Sequence, residues 1–167
     1  MLLKFRKAGK DELDTALKLL QAAATTLKEK SIRQWEFWLN PTKEKIEWIE
    51  QGFDNHEFYF LEDDNHQLVG MFRLMSEDEL YWGKQELKAG YIHSLVVDKK
   101  YAGKQIGQKI IAEVEFNLPG KGIFILRLDC NASNTALCQY YENLGFKKVG
   151  EKQMPHSLNY LYEKKLS

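Results

Sequence analysis

Cysteine is scarce in this chain: Cys130 and Cys138 are the two among 167 residues. They sit eight positions apart, without the short spacing of a metal knuckle, so buried reduced thiols are expected and a disulfide-stapled scaffold is not. Net charge is missing as well. Lys plus Arg and Asp plus Glu number 24 each, and no polybasic run breaks the balance, so no field recruits nucleic acid or an acidic membrane. Long apolar runs are absent. The opening residues MLLKFRKAGKDELD are too briefly apolar for a secretory signal, and no later stretch is apolar enough to span a bilayer. A soluble, cytoplasmic protein without metal, nucleic-acid or membrane partner is therefore expected. Repeats, low-complexity tracts and linker-like segments are also lacking, and the length suits a single domain over 1–167.

What is present is an apolar share of 44% with 13% aromatics, enough for a real core and against global disorder. One stretch organises the rest: YIHSLVVDKKYAGKQIG, from Tyr91 to Gly107. An apolar strand over Tyr91 to Val97 runs into a polar turn at Asp98-Lys99-Lys100. Gly103 and Gly107 follow, and then Ile106, Ile110, Ile111 and Val114 recur on one helical face. A strand, a glycine-bearing loop and a helix start form a device for holding phosphate. Glycine lets the backbone approach closely, the first N–H groups of a helix lack intrahelical partners, and its dipole favours negative charge. Lys99, Lys100 and Lys104 add positive charge, making this stretch a candidate anionic-cofactor site.

Around it, Leu2, Leu3 and Phe5 suggest a short strand, and Asp11 is placed to cap a helix through Leu13, Leu17, Leu20, Ala24 and Leu27. After the aromatic segment Gln34 to Leu39, Asn40-Pro41 reads as cap and first residue of a helix through Ile46, Ile49 and Phe53. Glu57 to Leu61 and Leu68 to Met75 read as strands of a hairpin turning at Asp63 to His66. Ser76 to Lys88 is polar and reads as a loop or hairpin tip. Beyond the central helix, Leu118 to Gly122 is a break, and Ile123 to Asp129 is apolar enough for a central strand. Ser133 is placed to cap a helix from Asn134 to Leu144, closed by Gly145, and two strands follow at Phe146 to Val149 and Leu158 to Glu163. Hairpins at both ends and helical crossovers between middle strands imply a mixed α/β sheet.

Two segments together carry a family resemblance. The strand, loop and helix from Tyr91 to Val114 are followed, one strand later, by NTALCQYYENLGF from Asn134 to Phe146. This pair resembles the GNAT superfamily of acyl-CoA-dependent N-acyltransferases, whose second signature reads Asn, six residues, Tyr-Glu-x-x-Gly-Phe. The likeness covers about Tyr91 to Val149. It implies a central, mixed, mostly antiparallel sheet flanked by about four helices, with two middle strands splayed apart. The loop departs from the family run Arg-Gly-x-Gly-x-Gly: Ala102 replaces the arginine and Gln105 the middle glycine. Backbone N–H groups carry most of such a site, so it depends on Gln105 tolerating the required backbone angles, with Lys100 or Lys104 as point charges in place of the guanidinium.

By that resemblance the pyrophosphate of acetyl-CoA rests on the loop Ala102, Gly103, Lys104, Gln105, Ile106 and Gly107. The pantetheine arm runs along Leu95, Val96 and Val97, one of whose N–H groups polarises the thioester carbonyl where negative charge develops. Tyr141 falls on the family's acid position, beside the leaving sulfur, with Tyr140 as a packing neighbour. Asn134 falls where the cofactor arm is contacted, or simply caps its helix. An alkyl amine is mostly ammonium at pH 7 and needs a proton removed. The strand that often carries a carboxylate here carries His93, the candidate base or water-orienter, with Asp98 and Glu57 as fallbacks. Trp35, Trp38 and Trp82, with Phe37 and Tyr81, are candidate walls for the acceptor or simply core, and Glu36 and Glu57 candidate partners for its charge. The activity implied is acetyl transfer from acetyl-CoA to a primary amine, with a small molecule as acceptor and a homodimer as a possible assembly. The alternative is a non-catalytic acyl-CoA sensor on the same fold. A dinucleotide-binding domain ranks last, since G-x-G-x-x-G is missing.

Overall fold

Residues Met1–Ser167 are described by a computed structural model. Its elements are β1 (Lys4–Lys7), α1 (Leu13–Glu29), α2 (Lys43–Asp54), β2 (Phe58–Glu62), β3 (Leu68–Met75), α3 (Glu79–Trp82), β4 (Gly90–Val97), α4 (Ile106–Asn117), β5 (Ile125–Asn131), α5 (Thr135–Asn143), β6 (Lys147–Met154) and β7 (Ser157–Lys165). The strands are those of a seven-stranded sheet in the order β1-β2-β3-β4-β5-β7-β6. The chain divides into two compact units, Met1–Leu74 with Ser94–Gly107, and Met75–His93 with Gln108–Ser167.

In the first unit β1, β2 and β3 form an antiparallel meander, registered Phe5↔Leu61 and Phe60↔Met71. The end of β4 lies along β3: the Asp98 N–H donates to the Val69 carbonyl at 2.8 Å, and a Cβ on Gly70 would meet the Val96 carbonyl oxygen at 2.5 Å. Only glycine fits that approach. Helix α1 buries Ala16, Leu19, Leu20 and Ala24, one stripe at helical spacing, into a core with Trp38, Ile49, Phe53, Phe58, Phe60 and Met71. Each large side chain so buried contributes about 1.5–3 kcal/mol.

In the second unit the start of β4 pairs in parallel with β5, at Gly90↔Leu126 and Tyr91↔Arg127. Strand β5 pairs antiparallel with β7 from Ile125↔Lys165 to Asn131↔Asn159, and β7 with β6. The expected mixed, mostly antiparallel sheet is present, with five helices rather than about four. The extra one, α3, is a single turn capped by Asp78, whose carboxylate accepts the Tyr81 N–H. Four residues are too few to show a period, which is why Ser76 to Lys88 reads as loop.

Two caps differ from expectation, and the third falls to the second of its two candidates. Helix α2 begins after Thr42, whose hydroxyl accepts the Lys45 N–H, rather than at Asn40-Pro41. Before α1 the residues Lys10–Glu12 form a 3₁₀ turn, and Glu12 rather than Asp11 accepts a backbone N–H, that of Gly9 at 2.8 Å. Asn134 caps α5 by accepting the Leu137 N–H, while Ser133 donates to the Asn131 side chain at 2.6 Å. The closing Gly145 is left-handed, with φ 93°, as a helix C-terminus of this type requires. No helix is long and apolar enough to cross a membrane.

Candidate active site

The loop after β4 is shaped by a sequence of local bonds. The Asp98 carboxylate accepts the Lys100 N–H at 2.9 Å, and Lys99–Tyr101 close into one 3₁₀ turn. Tyr101 donates its phenol proton to Asp63 at 2.9 Å. Lys104 lies with its ammonium 5.2 Å from the Tyr101 ring. The backbone then turns left-handed twice, at Gly103 (φ 77°) and Gln105 (φ 57°), before α4 starts at Ile106. Gln105, standing where the resembling family has glycine, thus takes the glycine-like conformation. An added Cβ on Gly103 would meet no atom within 4 Å, so the loop faces open space there. Gly103, Gln105 and the helix start combine left-handed backbone with N–H groups that have no partner inside α4, the arrangement that receives an anion.

Within β4, Ser94 is left-handed too (φ 52°), a kink of the kind that re-aims side chains along a strand. Past it Val96 is buried while Leu95 and Val97 are half-buried. Just before it stands His93, beyond the registered ladder with β5, and side chains take over from backbone. His93 Nε2 lies 2.6 Å from Asp78 Oδ2, and His93 Nδ1 lies 3.5 Å from Asp129 Oδ1. With the Asp78 side chain as a carboxylate, which only accepts, the donor in this short contact is the Nε2–H of the imidazole. Asp129 also accepts from Asn159 Nδ2 at 2.6 Å. The Tyr81 ring stands 5.2 Å from the imidazole.

His93 and Asp129 keep 9% of their side chains exposed and Asp78 only 3%. Burial, partly offset by His93, lifts the Asp129 carboxyl above its usual range. Burial first, then the Asp129 and Asp78 charges, lift the Tyr81 phenol. The three side chains bring one donor atom each within 4.8 Å of one another. Two donors on one metal ion lie about 3 Å or more apart, so the 2.6 Å pair is the geometry of a shared proton.

Tyr141, on the inner face of α5, is 8% exposed. Burial above all pushes its phenol well above the ordinary value, aided by nearby Cys130, Tyr140 and Asp129. It packs edge-on to Phe146 and Tyr140. The Cys130 and Cys138 thiols are free and touch at 3.4 Å.

The remaining expected residues are spread out. Trp38 is buried in the first unit's core, with Trp35 and Phe37 packed against it; the Lys45 ammonium caps the Phe37 ring at 4.2 Å. Trp82 lies 4.8 Å from the Arg127 guanidinium and edge-on to Tyr91, and Arg127 in turn donates to the Tyr91 hydroxyl and to Glu163. Glu57 is engaged by Arg73 at 2.6 Å, Asp98 by its turn, and Glu36 stands 3.9 Å from Arg33. Sequence reasoning passed over Asp78 and Asp129. Asp129 carried one signal, a carboxylate closing a strand that is apolar apart from Arg127; Asp78 carried none within its polar stretch.

A model of the acetyltransferase (GNAT) family matches residues 18–146. The chain is 27% identical over 166 residues to the uncharacterized N-acetyltransferase YesJ of Bacillus subtilis (strain 168), covering 94% of this chain and 87% of the relative. Among solved structures, a GNAT-family acetyltransferase of Listeria monocytogenes 4b F2365 matches with a TM-score of 0.80 and 26% identity, over 98% of this chain and 95% of that one. The paia N-acetyltransferase of Thermoplasma acidophilum, solved in complex with coenzyme A, matches with a TM-score of 0.65 over 99% of each chain. At 19% identity that last likeness speaks for the fold alone.

Proposed function

Because the chain belongs to the acetyltransferase (GNAT) family, whose model its residues 18–146 match, we propose that it transfers an acetyl group from acetyl-CoA to a primary amine. Attack is direct, with both substrates bound at once. The observation that carries this reading is the loop: Gln105 at φ 57° beside Gly103 at φ 77° keeps a phosphate-receiving backbone despite the altered sequence. Ala102 to Gly107 then hold the pyrophosphate, with Lys104 at hand for the charge that an arginine would otherwise supply. Leu95, Val96 and Val97 present strand backbone to the pantetheine arm, and Asn134 adds a polar contact at the start of α5.

Tyr141 is the residue for the leaving group. Its phenol is held protonated by burial, and an ordinary thiol titrates near 8.5. It therefore stabilises the departing thiolate by donating a hydrogen bond, and relays a proton to sulfur from the new amide nitrogen rather than ionising on its own. His93 takes the proton that the acceptor must lose before attack. A small-molecule acceptor remains the favoured class, because no strongly charged run suggests a peptide groove.

A free-thiol release assay with acetyl-CoA over a panel of amines tests this. Amine-dependent release is expected, falling at least about tenfold in Tyr141→Phe with acetyl-CoA affinity unchanged. Tight binding of acetyl-CoA without turnover on any amine would favour an acyl-CoA sensor instead.

A further inference from the structure

We infer that the acceptor is taken up as its ammonium ion by Asp129, and that Asp78 holds His93 in the tautomer that removes the proton. The inference rests on the transfer reading above and adds a substrate class, an ammonium-binding carboxylate and a positioning residue.

Charge is the first argument. Two carboxylates flank one imidazole in a setting where all three side chains are at least nine-tenths hidden from solvent. The imidazole supplies at most one positive charge against two negative ones. The other groups around the cluster do not close the gap. Asn159 is neutral, Tyr81 presents a protonated phenol, and Arg127 on the same strand is paired with Glu163 at 2.9 Å. Buried charge is costly unless balanced: in the free protein burial favours a proton on Asp129, and a bound ammonium ion supplies the positive charge that lets this carboxylate ionise. A neutral acceptor does not.

Exposure and distance divide the roles. Asp78 is the inner member, and its 2.6 Å contact fixes the Nε2 proton, leaving Nδ1 to face Asp129 at 3.5 Å. An ammonium on Asp129 thus arrives beside the nitrogen that accepts a proton. Asp78 touches no substrate in this scheme; it orients the imidazole and stabilises the imidazolium that forms, as a carboxylate does behind a catalytic histidine.

The step balances. R–NH3⁺ gives one proton to His93 Nδ1 and becomes R–NH2, whose lone pair attacks the thioester carbon. The C–N bond forms, the C–S bond breaks, and sulfur keeps the bonding pair. The amide nitrogen sheds a second proton, which reaches the thiolate through Tyr141. His93 returns its proton to water, so each turnover yields amide, CoASH and one H⁺.

Two measurements on the full chain decide it. In the first, imidazole resonances of His93 are followed by NMR as n-butylammonium chloride is added, with 1-butanol as the uncharged control. Saturable shifts with the ammonium alone, lost in Asp129→Asn, are expected. Shifts of equal size with the alcohol, persistence in Asp129→Asn, or no response would overturn the ammonium site. In the second, amine turnover is compared in wild type and Asp78→Asn. Asparagine caps a helix about as well as aspartate, so α3 persists. A fall of about a hundredfold in kcat with KM for the amine within about threefold is expected, together with 15N imidazole shifts reporting a mixture of tautomers. Unchanged kcat and an unmixed Nε2–H tautomer would remove Asp78 from the scheme. Saturable ammonium binding with no CoA release from any amine would keep the site and defeat the transfer reading. CoA release from neutral and cationic amines alike, undiminished in Asp129→Asn, would do the reverse.

Discussion

Gln105 carries a conformation that its side chain resists. A left-handed backbone costs a residue with a Cβ about 1–2 kcal/mol relative to glycine, yet Gln105 holds φ 57° between Lys104 and the first residue of α4. Strain of this kind persists where the surroundings over-determine it. Here the 3₁₀ turn at Lys99–Tyr101 and the helix start fix both flanks. Gln105→Gly is expected to raise stability by up to about 1 kcal/mol and to leave acetyl-CoA affinity equal or better. Gln105→Val, with a branched Cβ, is expected to lower both. Thermal melts and calorimetric titration with acetyl-CoA read the two effects, and a stabilised glycine variant that no longer bound acetyl-CoA would detach the loop from the cofactor. The sequence showed which position was altered but not whether the backbone angle survived, because φ belongs to the surroundings as much as to the residue. The same limit hid Asp78. A carboxylate in a polar stretch announces nothing until the chain has folded it against a histidine.

Elements with a strong period were legible; their ends were not. Strand β3 matches its expected span of Leu68 to Met75, and α4 buries the Ile106, Ile110, Ile111 and Val114 that its spacing marks. In α1 the buried stripe is Ala16, Leu19, Leu20 and Ala24, so of the expected stripe Leu20 and Ala24 are buried while Leu13, Leu17 and Leu27 are half-buried. The caps were harder to place, for one physical reason. Capping-type residues cluster, as in Asn40 with Thr42 and Ser133 with Asn134, and the one that bonds is the one whose backbone path aims it at an N–H group. The last hairpin was read short at Val149 because most of the β6 side chains face solvent, so no alternation marks its length. Asn134 allows capping and cofactor contact to be separated. Asn134→Ala is expected to cost about 1 kcal/mol, a fall of about 3 °C in Tm, whereas Asn134→Asp keeps the cap. If Asn134 also meets the cofactor arm, Asn134→Asp weakens acetyl-CoA binding while melting like wild type. Equal affinity in the aspartate variant would leave Asn134 as a cap alone.

For the whole molecule, equal counts of acidic and basic residues make stability against pH a matter of particular groups rather than of net field. Two groups of carboxylates pull in opposite directions. Glu12 and Glu62 clasp Arg6 at 2.7 and 2.6 Å, and their hydrogen bonds with it hold both carboxyls below the usual value of 4.5. Their contribution is fully present above about that pH and is lost as acid protonates them. Asp129 is the reverse case. Burial raises its folded value above the ordinary 3.8, so between 3.8 and the raised value the folded chain binds more protons than the unfolded one. Stability then falls as pH rises through that window, and above it the full cost of an ionised buried carboxylate remains. Asp129→Asn removes this titration and little else in shape. The difference in Tm between Asp129→Asn and wild type is therefore expected to climb in the variant's favour from pH 3 towards pH 7, whatever constant offset the lost contact with His93 introduces. A scan of Tm against pH for the two proteins checks this, and a difference that stayed flat or fell with pH would mean that Asp129 is not strained by burial. A residue that lowers stability only when ionised is what a site for a cationic substrate requires, since the ammonium ion restores the missing charge on binding. Adding n-butylammonium should accordingly raise the Tm of wild type more at pH 7 than at pH 4, and should leave Asp129→Asn unmoved at both.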